Sequence, residues 1–435
     1  MSAPEARGFR APRREILAWA MYDFANSGYT TVVLTAIFNA YFVAVVAGEG
    51  ADGNGAGTLL WTVALGVSNL VVLVSAPVIG AIADHRASKK RFLALTTLGC
   101  VVATALLGFV DSGDVALAML LVGVATFMFS SGENLVAAFL PEIAPARDMG
   151  RISGYGWSLG YVGGLAVLGA CLAYITWAES QGQNATQYVP VTMWITAAVF
   201  GLAAAPTFLW LRERGVRQAM APREGYVAAG FARVRRTLAE ARRFRDLFRF
   251  LLSLATYYCG INTVVVLAAV YAQQAMGFGT QETIVLILVV NVTASVGAFV
   301  FGHVQDRLGS VRTLGATLLL WIAALVLAFF IESRSAFWVV ANMVGLALGA
   351  SQSAGRALIG QFAPPDRAAE FFGLWGLAGK LAAVIGPLVY GGITYASRGD
   401  HRLALLSTAL FFIAGLLLLF GVDEDRGRAA ARAGP

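Results

Sequence analysis

The chain has 435 residues, of which 58% are hydrophobic and 13% are charged, whereas charged residues make up about 25% of ordinary soluble domains. So few charges exclude a water-soluble fold, because they cannot cover the surface of a soluble protein of this length. The net charge of +7 is concentrated in short connections between apolar segments, which is typical of a membrane protein and not of a nucleic-acid-binding protein.

Twelve apolar segments follow one another along the chain, and each has the roughly 20 apolar residues that a membrane-spanning helix needs. We therefore predict an all-α polytopic membrane protein. The first six segments are 15–47, 58–83, 92–110, 114–140, 152–177 and 190–211. The last six are 247–274, 282–304, 313–332, 335–362, 371–396 and 402–421.

The basic residues predict the orientation of these helices. Of the 32 Lys and Arg residues, 27 lie in the connections on the side of the two chain ends, and three lie in the opposite connections. Basic connections stay in the cytoplasm, so both termini and the central loop are expected there. We predict a multi-pass protein of the bacterial inner (cytoplasmic) membrane.

The central connection carries a pattern of its own. In residues 226–250, apolar residues recur at helical spacing with arginines between them. This predicts a basic amphipathic helix that lies on anionic lipid of the inner leaflet. The linker, 212–246, separates a predicted N-terminal six-helix half, 1–211, from a C-terminal half and tail, 247–435.

The two halves repeat each other. Gly80 and Asp84 follow the second predicted helix, and Gly302 and Asp306 follow the eighth at an offset of 222 residues. The pair Ala144-Pro145 recurs as Ala363-Pro364 at an offset of 219. Since six helices return the chain to its starting side, the halves are predicted to be parallel six-helix repeats.

This plan, with a Gly-x-x-x-Asp loop after helices 2 and 8, resembles the major facilitator superfamily. Three motifs resemble one branch of it, the autophagy-related vacuolar amino-acid effluxers and their bacterial relatives. They are Trp19-Ala-Met-Tyr-Asp23-Phe-Ala-Asn26-Ser, Phe139-Leu-Pro-Glu-Ile-Ala-Pro-Ala-Arg147 and Gly154-Tyr-Gly-Trp157-Ser-Leu-Gly160-Tyr.

The resemblance implies a function. It implies a monomeric secondary transporter without a cofactor, which moves a small polar solute by alternating access. An amino acid, a related zwitterion or an organic anion is the expected solute, with coupling to protons or another ion. No Walker-type phosphate loop is present, so a gradient and not ATP is expected to drive transport.

The resemblance also implies a gate. Asp84 would meet the N-terminal end of helix 11 when the cytoplasmic side is closed, since a helix N-terminus favours a carboxylate. His85 stands where the superfamily pattern has Arg. Alternatively, the basic residues of these loops only orient the chain. The predicted gating residues are Gly80, Asp84, Arg86, Lys90, Arg91, Asp306, Arg307 and Arg312.

Four charged residues lie inside predicted helices, where charge is costly and marks function by default. Arg356 or Lys380 could bind the carboxylate of a zwitterion, and Asp23 or Glu133 its amine or a proton. Alternatively, the four form ion pairs between helices that lock one conformation. The predicted substrate-binding residues are Asp23, Asn26, Glu133, Asn134, Asn262, Arg356 and Lys380, with Asn291, Asn342 and Gln352 as polar neighbours.

An enzyme is not predicted. The three cysteines are isolated within apolar segments, and the three histidines show no metal-ligand spacing. A receptor or scaffold built on a transporter fold is the alternative function, because a fold does not determine a function.

Overall fold

The computed structural model describes residues 9–48, 56–215, 235, 239–398 and 401–432. Within these ranges, twelve helices are long and apolar enough to cross a membrane, which confirms the predicted all-α membrane fold. They are α1 (Arg13–Val46), α2 (Ala56–Arg86), α3 (Lys89–Leu106), α4 (Val115–Ile143), α5 (Met149–Ser180), α6 (Ala185–Trp210), α7 (Arg245–Gln274), α8 (Thr280–Leu308), α9 (Ser310–Phe330), α10 (Arg334–Phe362), α11 (Ala368–Ala396) and α12 (His401–Leu419). A short helix, α13 (Glu424–Arg432), follows.

The packing of the first six helices recurs in the last six. α1 packs against α5 and α6, as α7 packs against α11 and α12. α4 contacts α2 and α3, as α10 contacts α8 and α9. The two halves meet where α2 packs against α11 and where α5 packs against α8 and α10. This arrangement confirms the predicted pair of parallel six-helix repeats.

Glycines allow the halves to approach closely. A Cβ on Gly373 of α11 would lie 2.7 Å from the Cα of Pro77 in α2. A Cβ on Gly302 of α8 would lie 2.7 Å from the carbonyl oxygen of Gly150 in α5. Small residues at helix contacts drive close packing in membranes, where apolar side chains gain nothing by leaving lipid. Both interfaces therefore depend on glycine.

The first helix is not regular throughout. Tyr29–Ala36 and Phe42–Val46 are wider π-helical turns, and the Thr35 hydroxyl donates to the carbonyl oxygen of Thr30, five residues earlier, at 2.9 Å. Single π-helical turns are often found at functional sites. This irregular part of α1 borders the cavity described below.

The two ends of the chain lie on one face. Arg10, just before α1, lies 3.6 Å from Asp148 before α5, and Arg426, after α12, binds Asp246 at the start of α7. We call this the terminal face. Its placement in the cytoplasm stays a prediction.

The predicted amphipathic helix lies largely outside the described residues, at 226–234 and 236–238. The described residues 245–250 of that stretch form the first turns of α7. Before them, Glu240–Arg242 form one 3-10 turn.

Candidate functional site

Two carboxylates join the halves at the terminal face. Asp84, near the end of α2, accepts a hydrogen bond of 2.9 Å from the backbone N–H of Glu370 in the first turn of α11. Asp306, near the end of α8, accepts hydrogen bonds from the backbone N–H groups of Gly150 (2.9 Å) and Arg151 (3.3 Å) at the start of α5. A carboxylate is favoured at the positive end of a helix. The contact expected for Asp84 is thus present, and the gating role stays a prediction.

The other predicted gating residues fall into two groups. The first group, Gly80 and Lys90, contacts neighbouring parts of the chain. Gly80 lies where α2 packs closely against α11, since a Cβ there would overlap the carbonyl oxygen of Ala369. Lys90 donates to the carbonyl oxygen of Leu211 at 2.6 Å. The second group consists of four arginines whose side chains are exposed on the terminal face. They are Arg86, Arg91, Arg307 and Arg312.

Lys89 lies outside the predicted gating set but contacts Asp84, one of its members. Its side chain is 1% exposed, and its ammonium lies 3.4 Å from the carboxylate of Asp84 and also contacts Glu142 at the end of α4. A buried charge needs such partners. Lys89 therefore holds the Asp84 carboxylate in place. The sequence contained no signal that separated it from its neighbours, because it is the first of three consecutive basic residues.

Asp23 and Arg356 form a buried ion pair between the halves. The Arg356 guanidinium in α10 donates to the Asp23 carboxylate in α1 at 2.6 Å and to the backbone carbonyl of Ser153 in α5 at 2.8 Å. The rings of Trp19 and Trp157 lie 4.8 and 5.3 Å from it. Of the two alternatives given above for the interior charges, Asp23 and Arg356 therefore adopt the ion pair between helices. An ion pair at this position can also open to bind a solute.

Glu133 and Lys380 face each other across the same interface. In the described part of the chain the two side chains share no ion pair or hydrogen bond, and both are half-buried. Next to Glu133, the hydroxyls of Ser130 and Ser131 are buried without a described hydrogen-bond partner. Such groups are typical positions for bound water or a polar ligand.

The three predicted asparagines differ in their surroundings. Asn26 and Asn134 are buried, and Asn134 packs so closely against α11 that a Cβ on Gly376 would overlap its amide. Asn262 is half-buried and donates to the carbonyl oxygen of Tyr258 in its own helix at 2.9 Å. Asn26 follows Asp23 by three residues on α1, and Asn134 directly follows Glu133 on α4. We call these two amides and the four charged side chains the charged layer.

A cavity of about 490 Å³ lies between the halves, on the side away from the terminal face. Among the described residues its wall is mostly aliphatic and contains no charged side chain, and the seven predicted binding residues are not part of it. Its polar groups are hydroxyls and amides. They include Ser27, Thr30, Thr31, Thr35, Tyr161, Asn291 and Gln352.

The charged layer lies between this cavity and the terminal face. Trp157 connects them, since it lines the cavity and its ring also contacts Arg356. The hydroxyl of Tyr161 donates to the side-chain carbonyl of Gln352 across the two halves. The clustered hydroxyls of residues 27–35 were the available sequence signal for the cavity. Two of the predicted polar neighbours, Asn291 and Gln352, do line the cavity, whereas these hydroxyls were not predicted.

Comparisons with known proteins agree with the fold described above. A family model described as "Vacuole effluxer Atg22 like" matches residues 144–432. The chain is similar to the MFS-type transporter YxiO of Bacillus subtilis (strain 168), with 28% identity over 94% of each chain. It is also similar to Autophagy-related protein 22-1 of Emericella nidulans, with 25% identity over 65% of this chain and 51% of that protein. The match thus spans about half the length of this fungal relative.

Solved structures are similar over nearly the whole chain. The human organic anion transporter MFSD10 superposes with a TM-score of 0.74 at 15% identity, covering 96% of this chain and 100% of that one. The proton:xylose symporter XylE superposes with a TM-score of 0.73 at 14% identity, covering 95% and 96%. At these identities the likeness establishes the twelve-helix fold alone.

Proposed function

Because the chain belongs to the Atg22-like family of the major facilitator superfamily, whose members are transporters and not enzymes, we propose that it is a secondary transporter for a small amino acid or a related zwitterion or organic anion. Transport is by alternating access, in which the two halves rock around a central site. The protein works in the bacterial inner membrane with both termini in the cytoplasm.

The observation that carries the proposal is the placement of the cavity relative to the gate. The terminal face is closed by Asp84 and Asp306, while the cavity of about 490 Å³ lies on the opposite side of the charged layer. This is the asymmetry of one end state of an alternating-access cycle. In the other state, the two carboxylates leave the helix ends and the solute is released toward the terminal face.

The chemistry of the interior supports a zwitterion with an apolar part. The aliphatic wall with its hydroxyls and amides accommodates an apolar side chain, as ligand pockets generally do. The charged groups of the solute would enter the layer below. Arg356 is already bound to Asp23, whereas Lys380 has no direct partner among the described residues. Lys380 therefore binds the carboxylate in this proposal.

Glu133, in the charged layer, is the group that we propose for coupling transport to protons. Glu133 lacks a direct ion-pair partner in the described structure, and an isolated carboxylate in the membrane interior is a site where a proton can replace a missing counter-charge. Glu133 would then bind either the amine of the solute or a proton. An imposed pH gradient is expected to drive uptake.

The test is transport by the purified full chain in proteoliposomes, with a panel of labelled amino acids and with and without a pH gradient. Uptake of at least one amino acid, increased by the gradient, is expected. Uptake of only sugars or other solutes would overturn the substrate class and leave the transporter intact. No flux of any tested solute by folded protein would favour the receptor or scaffold alternative.

A further inference from the structure

The part of α1 that borders the cavity presents a row of hydroxyl oxygens to it. Each hydroxyl donates its hydrogen to a carbonyl oxygen of α1 itself, as Ser27 does to Asp23 at 2.7 Å and Thr31 does to Ser27 at 2.9 Å. A hydroxyl whose hydrogen is used in this way still accepts through its lone pairs. The row therefore offers acceptors and no free donors. We call it the hydroxyl stripe, and its members are Ser27, Thr30, Thr31 and Thr35.

A donor without a partner lies at the inner end of the cavity. Of the described residues that line the cavity, only Trp157 has a buried side-chain donor with no hydrogen-bond partner, its indole N–H. A buried donor that lacks an acceptor is destabilising, so such a group is a typical position for a ligand. The ring of Trp157 also lies 5.3 Å from the Arg356 guanidinium. The free N–H is therefore at the boundary between the cavity and the charged layer.

Glycines of α5 keep the hydroxyl stripe close to Trp157. A Cβ on Gly160 would lie 3.1 Å from the hydroxyl oxygen of Ser27, and a Cβ on Gly164 would lie 2.7 Å from that of Thr31. Ser27 thus lies beside the position three residues after Trp157, which is about 4.5 Å along the helix axis. The ammonium and the carboxylate of an amino acid lie on one carbon atom, and each hydrogen bond extends their reach by about 2.9 Å. One small molecule can therefore bind both the stripe and the indole N–H.

The absence of charge from the wall restricts the solute further. Among the described residues, the wall contains no charged side chain. A solute with a net charge would bring an uncompensated charge into the membrane interior, which is costly, whereas a zwitterion brings none. The rings of Trp157 and Tyr161, whose centroids are 6.1 Å apart, also belong to the wall, and aromatic faces attract an ammonium. The cavity thus favours a zwitterion over an organic anion.

We propose that the cavity binds the solute as a zwitterion, with its ammonium on the oxygens of Ser27 and Thr31 and its carboxylate on the indole N–H of Trp157. The inference rests on the proposed function and narrows its substrate class, because an organic anion without an amine leaves the hydroxyl stripe unused. The carboxylate lies at the boundary with the charged layer, where Lys380 is proposed to bind it. Glu133 is then left to carry the proton.

The test measures binding to the purified full chain in lipid nanodiscs by isothermal titration calorimetry. The probes are phenylalanine, phenethylamine, which lacks the carboxylate, and hydrocinnamate, which lacks the amine. All of them share one apolar part. A second set, valine with isobutylamine and isovalerate, repeats the comparison with a smaller apolar part.

We expect the zwitterion of at least one set to bind tenfold or more tightly than its amine and its acid. Ser27→Ala and Thr31→Val should each raise the Kd of the zwitterion about tenfold, because each removes an acceptor for a charged donor, and should leave the Kd of the acid unchanged. Trp157→Phe keeps a ring but removes the N–H. It should raise the Kd of the zwitterion and of the acid about tenfold and leave that of the amine unchanged.

Matched controls come from α5 outside the cavity. Thr176 also donates to its own helix, at 2.9 Å, and Trp177 is 55% exposed, so Thr176→Val and Trp177→Phe should bind like the unmodified protein. Thr31→Ser keeps the oxygen and should restore most of the binding lost in Thr31→Val.

The possible failures separate the site from the proposed function. An acid that binds as tightly as its zwitterion, a zwitterion whose Kd is unchanged in the three cavity variants, or no binding of either zwitterion to folded protein overturns the site. Transport of an amino acid alongside any of these results leaves the proposed function intact. Conversely, binding as expected without any flux in proteoliposomes supports the site and overturns the transporter.

Discussion

The carboxylate of Asp23 lies 2.6 Å from the guanidinium of Arg356, and this ion pair joins the first helix of one half to the fourth helix of the other. Both side chains are buried in the membrane interior, with 11% and 3% of their surface exposed. A buried ion pair of this kind adds little net stability, but removal of one partner leaves an uncompensated charge.

We therefore expect Asp23→Ala to lower the free energy of unfolding by about 3 kcal/mol. The double variant Asp23→Ala/Arg356→Met should recover most of this loss, because it removes the unpaired guanidinium as well. Denaturant unfolding in detergent measures both. A single variant as stable as the unmodified protein would show that the pair is solvated in solution.

Gly156 of α5 leaves the space that this ion pair occupies, since a Cβ there would overlap the Asp23 carboxylate and the Arg356 guanidinium. Gly156→Ala is expected to destabilise the protein by about 2 kcal/mol, as overpacking does. Gly169→Ala is the matched control on the same helix, because no atom lies within 4 Å of its Cβ position. Equal melting temperatures of the two variants would contradict the prediction.

At the gate, Asp306→Ala removes the acceptor for two N–H groups at the start of α5. We expect the terminal face to open more often, because each lost charge-assisted hydrogen bond contributes about 1.5–3 kcal/mol. Spin labels on cysteines introduced at Arg147 and Pro365, exposed in different halves, should show a severalfold larger population with a longer distance between them by pulsed electron paramagnetic resonance. Asp425→Asn is the control, since its side chain is 98% exposed on the same face. If the terminal face of the Asp306→Ala variant stays closed, Asp306 is not a gating residue and the gating role is left to Asp84.

Lys380→Ala is expected to abolish transport and to leave folded protein in the membrane, because its ammonium is proposed to bind the solute and contributes no direct ion pair to the described structure. Lys380→Arg keeps the positive charge and should retain part of the activity. Initial uptake rates in proteoliposomes measure the effect, with size-exclusion chromatography as the folding control. Normal uptake by Lys380→Ala would remove this residue from the site.

Tyr161→Phe tests the cavity itself. The variant loses the hydrogen bond between Tyr161 and Gln352 that crosses the cavity wall, while the ring remains. We expect the hydroxyl to exchange this bond for one to the bound solute. Since one neutral hydrogen bond contributes about 1 kcal/mol, its loss should raise the KM for the solute roughly fivefold. Tyr174→Phe, elsewhere on α5, is the control. An unchanged KM would place the solute outside this cavity.

Much of the fold was predictable from the sequence, since hydropathy is a local property. Every predicted segment coincides with a helix of the structure, and the loops at Asp84 and Asp306 marked the repeat. The predicted amphipathic stretch lies largely outside the described residues, and its residues 245–250 form the first turns of α7.

The site was predictable only in part. The four interior charges were found because charge is costly in a membrane, and they do lie together. Their partners were not determined, since Asp23 and Arg356 are 333 residues apart and their contact depends on how two helices are rotated and packed. Of the cavity's polar groups, Asn291 and Gln352 were predicted. Its hydroxyls were not, because hydroxyls that bond to their own helix, such as those of Thr30 and Thr31, resemble ordinary interior residues.

The sequence by itself determined that this protein spans the membrane twelve times as two repeats, because hydropathy, glycine spacing and the positions of basic residues are properties of the linear sequence. Only the tertiary structure decided that Asp306 binds the start of α5, that Lys89 supports Asp84, and that the cavity lies away from the terminal face. Those features arise from contacts between distant helices. Their energies depend on interhelical geometry, which local sequence patterns do not contain.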